Sequence, residues 1–527
     1  MSELDKLAEI LVKPWSKDVP AGENAATLPD GEKATGIWWA DRMKELLNKA
    51  ISAGSERYSL RQSGKLMVRA PKIEKDDKPW AGIILGGGEN EKTGKYRGDS
   101  FVIFPSEGHG CVLTLALGSL GPGDDVEYLS RAELARNIKA IADYVNIDIM
   151  QGQSCAWSKP TPSRTDINEM PLDCCANIPD DYCLNNVLDA YKTEIYLAVN
   201  VNGMAPQKVK KVLVLLMDQF LLNHGCNLRR GQGQDTIYRK YIFPTQNEKT
   251  VFERIKTRRY VILEGPPGTG KTRLCSKLRD IKEDGSPNNY YSKCWKIQFH
   301  PNMTYEQFVG GLYPEMVNEV ATFKPREGIL LQAIAEAKNN PGNHYLLHID
   351  EINRADLSRV LGEAISLFEP RADYVVDVNL PFTFEHFRDA KIESMPPNLH
   401  VIGTMNSADR SIAILDIAIR RRFSFYQLYP QPEVVDRYGT DFSKQAFHKL
   451  EELFAKYASE EAFKYMPGHA YFIGNAANGY DENESKRQLR YELIPLLQEY
   501  IEQGYVSGFA GQIRAYIQEW DGKCGDK

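Results

Sequence analysis

The sequence predicts an α/β fold whose second half is built on a parallel sheet, preceded by a region that mixes helices and strands. From about residue 245 to 430, apolar strand-like runs alternate with helical stretches, which is the pattern of a parallel sheet with helical crossovers. Within it, 261-VILE-264 leads into a glycine-rich turn, and 344-HYLLHI-349 leads into two acids. Ligands bind at the carboxyl ends of strands in such sheets, so these ends are the first places to search for a site.

The composition is that of an ordinary globular protein. The chain has 527 residues, a formal net charge of −6 and 42% hydrophobic residues, so we expect about two to four domains. No apolar run approaches the ~20 residues that span a bilayer, and the first residues do not predict a signal peptide. Nine scattered cysteines favour a reducing, cytoplasmic location without membrane association. The weakly acidic total still leaves room for a local basic groove.

The first half of the chain carries weaker patterns. Apolar residues at helical spacing predict helices there, and runs rich in β-branched and aromatic residues predict strands. The helices are expected at 37–51, 130–145 and 207–223, and the strands at 81–87, 100–105 and 111–118.

The strongest pattern is a phosphate-binding loop after the strand at 261–264. Its glycines let backbone N–H groups curl around phosphates at the start of a helix. Lys271 is expected to reach the β- and γ-phosphates, and Thr272 to offer its hydroxyl to Mg²⁺. We therefore predict binding of a nucleoside triphosphate with Mg²⁺ through Gly265, Pro266, Pro267, Gly268, Thr269, Gly270, Lys271 and Thr272.

A pair of acids, Asp350 and Glu351, ends an apolar run about 80 residues further on. In a sheet of this kind Asp350 is expected to hold Mg²⁺ together with Thr272. Glu351 is placed to orient or deprotonate the attacking water. An exposed acid pair at a strand end is common by itself, but the phosphate loop upstream favours the catalytic interpretation.

A third apolar run, 398-NLHVI-402, precedes the polar segment 403-GTMNSADRS-411. Asn406 is expected just past the strand end, where an amide can hold the attacking water or sense the γ-phosphate. The three arginines at 420–422 leave two interpretations open. They can be solvated charges at a helix C-terminus, which favours cations. They can also supply an arginine finger to the nucleotide of a neighbouring subunit, which requires a ring or at least a dimer.

Together these blocks resemble the AAA+ superfamily and, more narrowly, its McrB-like branch, over about residues 245 to 505. By this resemblance Asn406 is the sensor of the γ-phosphate, and Arg421 and Arg422 are the finger and its neighbour. Ser407 departs from the signature of the branch, which has Thr, and slightly weakens the case for GTP. The blocks are 265-GPPGTGKT-272, 350-DEINRADLSRVLGEAISLFEPR-371, 403-GTMNSADRSIAILDIAIRRRFSF-425, 466-MPGHAYF-472 and 491-YELIPLLQEY-500.

The resemblance implies Mg²⁺-dependent hydrolysis of ATP or GTP, with the base left open, by a homo-oligomeric ring that is expected to be a hexamer. It also implies a separate nuclease subunit and DNA as partners, in a modification-dependent restriction system. His469 and Tyr471 either face the nucleotide or the subunit joint, or pack within a helical lid. The predicted domains are an N-terminal α+β recognition domain at 1–226, a linker at 227–244, an AAA+ α/β core at 245–430 and a helical lid at 431–527.

The ligand of the N-terminal domain is not fixed by the sequence. The resemblance is weak there and implies recognition of a target such as a modified base in DNA, which needs aromatic rings and basic contacts to phosphate. Tryptophans in a core and cations on a solvated loop are the favoured alternative. The cysteines lack a C-x₂-C pair, so free thiols are favoured over a zinc site. The residues in question are Trp38, Trp39, Trp80, Lys92, Lys95, Arg97, Cys155, Cys174, Cys175 and Cys183.

The function expected from these patterns is a ring-forming motor in restriction or anti-phage defence. No nuclease or Ser-His-Asp arrangement stands out, so the cutting chemistry is expected in a partner chain. Two other classes remain open. One is a protein-remodelling chaperone that never touches DNA, and the other is a nucleotide-gated scaffold that barely turns over.

Overall fold

The computed structural model divides the chain into two units, Met1–Pro244 and Thr245–Lys527, which are described separately. Nearly all of the second unit and about half of the first are described. The described residues are 2–13, 36–51, 66–70, 80–85, 98–105, 110–118, 131–159, 194–224, 232–244, 248–283, 286, 288–317, 319–369, 376–408, 417–474 and 481–525.

The first unit contains an antiparallel sheet of six strands in the order β1-β2-β3-β4-β6-β5. Its two central strands, β3 and β4, are buried along their whole length, which is why their sequences are continuously apolar and do not alternate. The strands are β1 (Leu66–Arg69), β2 (Ala81–Leu85), β3 (Asp99–Pro105), β4 (Cys111–Leu117), β5 (Ala156–Ser158) and β6 (Ile195–Asn200).

Helices cover this sheet, and the longest of them packs against β3 and β4. That helix buries Leu213, Leu216 and Phe220 at helical spacing. The predicted linker contains a short helix followed by a π-helical turn at Tyr238–Ile242, and Ile237, Ile242 and Phe243 in this stretch are buried. The helices are α1 (Glu3–Leu11), α2 (Gly36–Ile51), α3 (Ala132–Tyr144), α4 (Pro206–Asn223) and α5 (Gln232–Ile237).

The second unit contains the predicted parallel sheet, in the order β15-β7-β14-β11-β8. Two antiparallel pairs accompany it, the exposed hairpin β9–β10 and the short pair β12–β13. Apolar clusters on both faces of the sheet explain its largely apolar central strands, whereas the edge strand Tyr291–Gln298 is only partly buried. The strands are β7 (Tyr260–Gly265), β8 (Tyr291–Gln298), β9 (Gly310–Val317), β10 (Val320–Glu327), β11 (His344–Asp350), β12 (Val378–Asn379), β13 (Lys391–Ile392), β14 (Leu399–Asn406) and β15 (Ser424–Gln427).

The crossovers of the sheet and the C-terminal part are helical, as predicted. None of the helices in the described residues is long and apolar enough to cross a membrane. The helices are α6 (Glu248–Arg258), α7 (Lys271–Arg279), α8 (Tyr305–Phe308), α9 (Ile329–Asn339), α10 (Leu357–Leu361), α11 (Ile417–Arg420), α12 (Pro432–Tyr438), α13 (Asp441–Tyr457), α14 (Glu460–Phe463), α15 (Glu482–Gln488), α16 (Ile494–Glu502) and α17 (Ala510–Cys524).

Candidate nucleotide-binding site

The glycine-rich loop lies between the carboxyl end of β7 and the start of α7. Gly268 and Gly270 have φ of 79° and 76°, in the left-handed region that glycine adopts without a steric penalty. Thr269 is buried, and its hydroxyl donates to the carbonyl of Pro266 at 2.8 Å, which closes the turn. The loop therefore reaches the first residues of α7 with its backbone curled, as phosphate binding requires.

Lys271 is folded back into this loop. Its Nζ donates to the carbonyl oxygens of Gly265 and Pro266, both at 2.8 Å. Burial lowers the pKa of Lys271 to about 8, while Asp350 and Glu351 act in the opposite direction. The ammonium group thus sits where phosphate oxygens can replace the two carbonyls as acceptors.

Asp350 ends β11 and lies beside the loop. The Thr272 hydroxyl is 3.3 Å from its Oδ1, Lys296 Nζ is 3.3 Å from its Oδ2, and Thr404 donates a short hydrogen bond to Oδ1. Burial pushes the pKa of Asp350 upward, but the hydrogen bonds and the charge of Lys296 outweigh this and leave it below its ordinary value. Burial also lowers the pKa of the neighbouring His348 to about 4, so this histidine is neutral at pH 7 and adds no charge. Asp350 is therefore an ionised carboxylate at neutral pH.

Glu351 follows in a left-handed conformation, with φ 52° and ψ 48°. Its backbone N–H donates to the Thr404 hydroxyl at 3.0 Å, the same hydroxyl that donates to Asp350. Its carboxylate accepts from Gln298 at 3.2 Å and from Arg354 at 2.9 Å. A non-glycine residue held at positive φ is strained, and such strain clusters at functional sites.

Asn406 is the last residue of β14 and pairs in register with Gly265. The prediction placed it just past the strand; the ladder runs further because Ser407 N–H also donates to the Gly265 carbonyl, at 3.1 Å. The Asn406 side chain accepts from the N–H of Ala408 at 3.2 Å, and its carbonyl accepts from Asn353 at 3.4 Å. The structure thus brings the end of β14 directly against the start of the phosphate loop.

The arginines lie at the other end of the sheet. They precede β15, whose first residue, Ser424, pairs with Val261, four residues before Gly265. At ~3.3 Å per strand residue, this pairing lies roughly 13 Å from the loop. Arg421 is exposed, whereas Arg422 is partly buried, and burial followed by the charge of Arg421 lowers its pKa. The structure therefore does not bring Arg421 and Arg422 to the loop of their own chain.

The residues beside the loop fit a magnesium nucleotide. Mg²⁺ takes oxygen ligands, and the Thr272 hydroxyl and the ionised Asp350 carboxylate converge beside the loop. Lys271 supplies a cation inside the curl. Thr272, Asp350 and Lys271 would thus hold the metal and the phosphates, with Glu351 next to them.

Three side chains in this site were not predicted from the sequence. Thr404 bridges Asp350 and Glu351, Lys296 pairs with Asp350, and Gln298 contacts Glu351. A signal existed for Lys296, because a charged residue within a strand of a parallel sheet is unusual. His469 and Tyr471 also lie against the phosphate loop, next to Gly270 and Gly268 respectively.

The candidates of the first unit give a different picture. Trp39 is buried, and Trp80 packs against an apolar cluster that includes Val102 and Trp157, as the core interpretation predicted. Cys155 is a free thiol whose pKa burial raises to about 11. Within the described part of the chain, no group of three or more His, Cys, Asp or Glu side chains is placed to hold a metal ion. The remaining candidates lie outside the described residues or side chains: Trp38, Lys92, Lys95, Arg97, Cys174, Cys175 and Cys183.

Comparison with known proteins identifies one part of the second unit. Residues 260–423 match the family model of the AAA domain (dynein-related subfamily). This part of the chain is an AAA+ domain, the P-loop nucleoside triphosphatase module that the sheet and its loop define.

Two relatives narrow the branch. The chain is 31% identical over 272 residues to the type IV methyl-directed restriction enzyme EcoKMcrB subunit of Escherichia coli (strain K12), covering 49% of this chain and 57% of that one. It is 27% identical over 197 residues to the type II restriction enzyme BsuMI component YdiS of Bacillus subtilis (strain 168), covering 32% and 56%. About half of the chain is thus similar to an McrB subunit, and the chain spans just over half the length of each relative.

Solved structures resemble this chain only weakly. A putative ATPase from Cytophaga hutchinsonii ATCC 33406 aligns at 18% identity with a TM-score of 0.24, over 35% of this chain and 46% of that one. Such an overlap supports no conclusion beyond the family match.

Proposed function

We propose that this chain hydrolyses the β–γ bond of ATP or GTP as the ring-forming motor of a McrB-like restriction or anti-phage complex. The observation that carries the proposal is the meeting of three strand ends, where Thr272, Asp350 and Glu351 lie beside the curled loop. The similarity to just over half of a restriction-enzyme subunit supports a role in restriction.

The side chains around Glu351 each have a role in the proposed hydrolysis. Thr272 and Asp350 would hold Mg²⁺, which would supply Lewis-acid neutralisation of phosphate charge when bound. Lys271 exchanges its two loop carbonyls for phosphate oxygens and adds a second positive charge. Glu351 accepts the proton of the attacking water, and Gln298 and Arg354 hold its carboxylate in place. Asn406 orients the water from the end of β14.

The arginines act on a neighbouring subunit. Their position at the far end of the sheet, away from the loop of their own chain, supports a role in trans. Such a finger stabilises transition-state charge and requires a ring or at least a dimer, and a hexameric ring is the expected state.

A mixing experiment tests this arrangement. Arg422→Ala and Glu351→Gln each lose hydrolysis alone, and we expect partial recovery when the two variants are mixed, because a mixed ring contains joints with an intact finger and an intact base. Arg437→Ala, an exposed arginine of α12, is the matched control and should hydrolyse at the wild-type rate. Mixtures as inactive as either variant would contradict a finger acting in trans and count against the ring.

The nucleotide base and the partners need direct measurement. Hydrolysis of ATP and GTP is compared at equal concentration, with no base assigned in advance. We expect DNA to stimulate the rate, with stimulation falling as salt increases, and we expect a separate nuclease subunit to copurify. DNA-independent hydrolysis stimulated by an unfolded protein would instead identify a remodelling chaperone. A rate at background with intact oligomers would identify a nucleotide-gated scaffold.

A further inference from the structure

A segment of the C-terminal helical part is bonded directly to the phosphate loop. We call Gly468–Tyr471 the loop clamp. Gly468 N–H donates to the carbonyl of Pro267 at 2.9 Å, and Ala470 N–H donates to the carbonyl of Gly268 at 3.0 Å. A Cβ on Gly468 would lie 2.0 Å from the carbonyl carbon of Gly268, so the two backbones are at closest approach. This contact fixes where the residue between the two donors, His469, is held.

His469 is buried, and its hydrogen bond defines which ring nitrogen carries the proton. Its Nδ1 accepts from the backbone N–H of Gln431 at 3.2 Å, so in the neutral ring the proton is on Nε2. Burial, followed by the charge of Arg273, lowers the pKa of His469 to about 4. The ring is therefore neutral at physiological pH and presents an N–H donor at Nε2.

Nε2 lies against the phosphate loop, beside Gly270. A Cβ on Gly270 would lie 3.5 Å from Nε2 and 3.8 Å from Cε1 of His469. Among the described residues, no acceptor is hydrogen-bonded to Nε2. The exposed side chain of Arg273 is close enough to influence the ring, so the donor and a cation flank the start of α7. An oxygen-bearing ligand matches both groups.

The position of His469 along the phosphate loop indicates which nucleotide oxygen its Nε2–H would meet. Lys271 and Thr272 serve the β- and γ-phosphates and the metal, and the loop amides cradle the α- and β-phosphates. Gly270 and Arg273 flank Lys271 and Thr272 in the sequence. A donor at this place meets the end of the nucleotide formed by the α-phosphate and the ribose.

We propose that His469 is a nucleotide-binding residue whose Nε2–H donates to an oxygen of the α-phosphate or ribose, which links the C-terminal helices to the occupied loop. The proposal rests on the proposed nucleotide binding at 265–272. It assigns to the loop clamp a role in affinity that is separate from the catalytic role of Glu351.

Two substitutions separate the two ring nitrogens. His469→Asn retains an acceptor near the position of Nδ1 and loses the donor at Nε2, whereas His469→Gln retains a donor near Nε2 and loses the acceptor at Nδ1. His448→Asn, on α13, is the matched control, because in the described part of the chain His448 is hydrogen-bonded to Asp436 and Glu451 and not to the phosphate loop. Dissociation constants of fluorescent nucleoside di- and triphosphates are measured for each protein with Mg²⁺.

We expect His469→Asn to weaken binding about tenfold to a hundredfold, the loss for one hydrogen bond to a charged group. His469→Gln should stay within about threefold of wild type by the same reasoning, and so should His448→Asn. The loss should be equal for di- and triphosphates, because the contact is remote from the γ-phosphate. A His469→Asn protein that binds like wild type, or a loss confined to triphosphates, would overturn the proposal.

Binding of a nucleotide without ribose hydroxyls identifies which nucleotide oxygen accepts from His469. If the ribose is the acceptor, a 2′,3′-dideoxynucleotide should bind wild type and His469→Asn equally; if the α-phosphate is, the difference should persist. Either result supports the proposal. A wild-type protein that binds no nucleotide would contradict the proposed function itself, whereas tight binding that is indifferent to His469 would contradict this inference alone.

Discussion

Asp99 in the first unit and Asp350 in the second are both buried aspartates on a sheet, and their surroundings differ. Asp99 begins β3 and accepts from the Tyr196 hydroxyl at 2.6 Å, from Ser100 N–H at 2.8 Å and from Asn223 at 3.4 Å. Asp350 ends β11 and is flanked by the Thr272 hydroxyl and by the exposed side chain of Lys296. The first carboxylate joins a strand to its neighbours, whereas the second lies at the open end of a parallel sheet.

The difference shows that burial of a charge does not by itself mark a functional residue. A buried carboxylate needs several donors to compensate its lost hydration, and both residues have them. What distinguishes Asp350 is the kind of partner: a threonine at the start of a phosphate loop and a lysine that can move into solvent. The predictions below test this distinction between a structural and a functional aspartate environment, from the largest expected effect to the smallest.

The largest effect is expected beside Asp350. Glu351→Gln removes the proton acceptor and should lower steady-state hydrolysis about 10²–10⁴-fold, the range for general acid–base catalysis. Nucleotide affinity should stay within about threefold, because Glu351 is not a phosphate ligand in this site. Hydrolysis and binding are measured with the matched control Glu336→Gln, a partly exposed acid on α9. Turnover at the wild-type rate would exclude Glu351 as the base.

A stability effect without a catalytic one is expected at Asp99. Asp99→Ala leaves the fully buried Tyr196 hydroxyl without this acceptor, which should destabilise the first unit by about 3 kcal/mol. Hydrogen exchange in β3 and β4 measures the loss, and Asp99→Asn, which keeps one acceptor oxygen, should lose less. Hydrolysis per folded molecule should not change. A selective loss of hydrolysis in a folded Asp99→Ala protein would mean that the first unit contributes to the chemistry.

In the first unit the sequence predicted single helices and strands correctly, whereas in the second it also predicted a parallel sheet. The parallel sheet and the residues 265–272, 350 and 351 follow from short-range patterns, because a loop between a strand and a helix is encoded in adjacent residues. Thr404 and Gln298 could not be found in this way, since each reaches Asp350 or Glu351 from another strand. In the first unit, β6 pairs with β4 across about 80 residues, and no local spacing specifies such a partner.

A buried polar residue of the second sheet, His400, is expected to affect stability and not catalysis, and the pH dependence of stability tests this. His400 is buried within β14 and bonded to the Tyr291 hydroxyl at 2.9 Å, and burial lowers its pKa to about 3. As pH falls below about 6.5 the unfolded chain takes up a proton that the folded protein refuses, so stability is lost on acidification. From pH 7 to 5 this loss should be about 2 kcal/mol. Denaturation of wild type and His400→Gln at both pH values measures it as the difference between the two proteins.

An exposed histidine supplies a control of opposite sign. His386 is bonded to Glu327, which raises its pKa. Its contribution is therefore present below about pH 6.5 and is lost as pH rises, so His386→Gln should fall further behind wild type on acidification. If His400→Gln and wild type lost stability in parallel between pH 7 and 5, His400 would not be a neutral core residue.

The smallest effect is expected where the loop meets the clamp. Gly268→Ala forces alanine to φ 79° and places its Cβ 2.9 Å from the ring of Tyr471. The left-handed conformation costs an alanine about 1–2 kcal/mol, so nucleotide binding should weaken about tenfold. Gly342→Ala, at a site with open space around it, should bind like wild type.

Combining Gly268→Ala with Tyr471→Ala separates the two causes of this loss. Removing the ring relieves the contact but leaves the backbone strain. If the double variant recovers nearly all of the affinity relative to Tyr471→Ala alone, the clamp sets the shape of the loop; if it recovers little, the φ requirement of Gly268 does. Undiminished binding by Gly268→Ala itself would mean that the left-handed turn is not what prepares the loop for phosphate. The second unit would then owe its site to the side chains around Asp350 more than to the backbone of the loop.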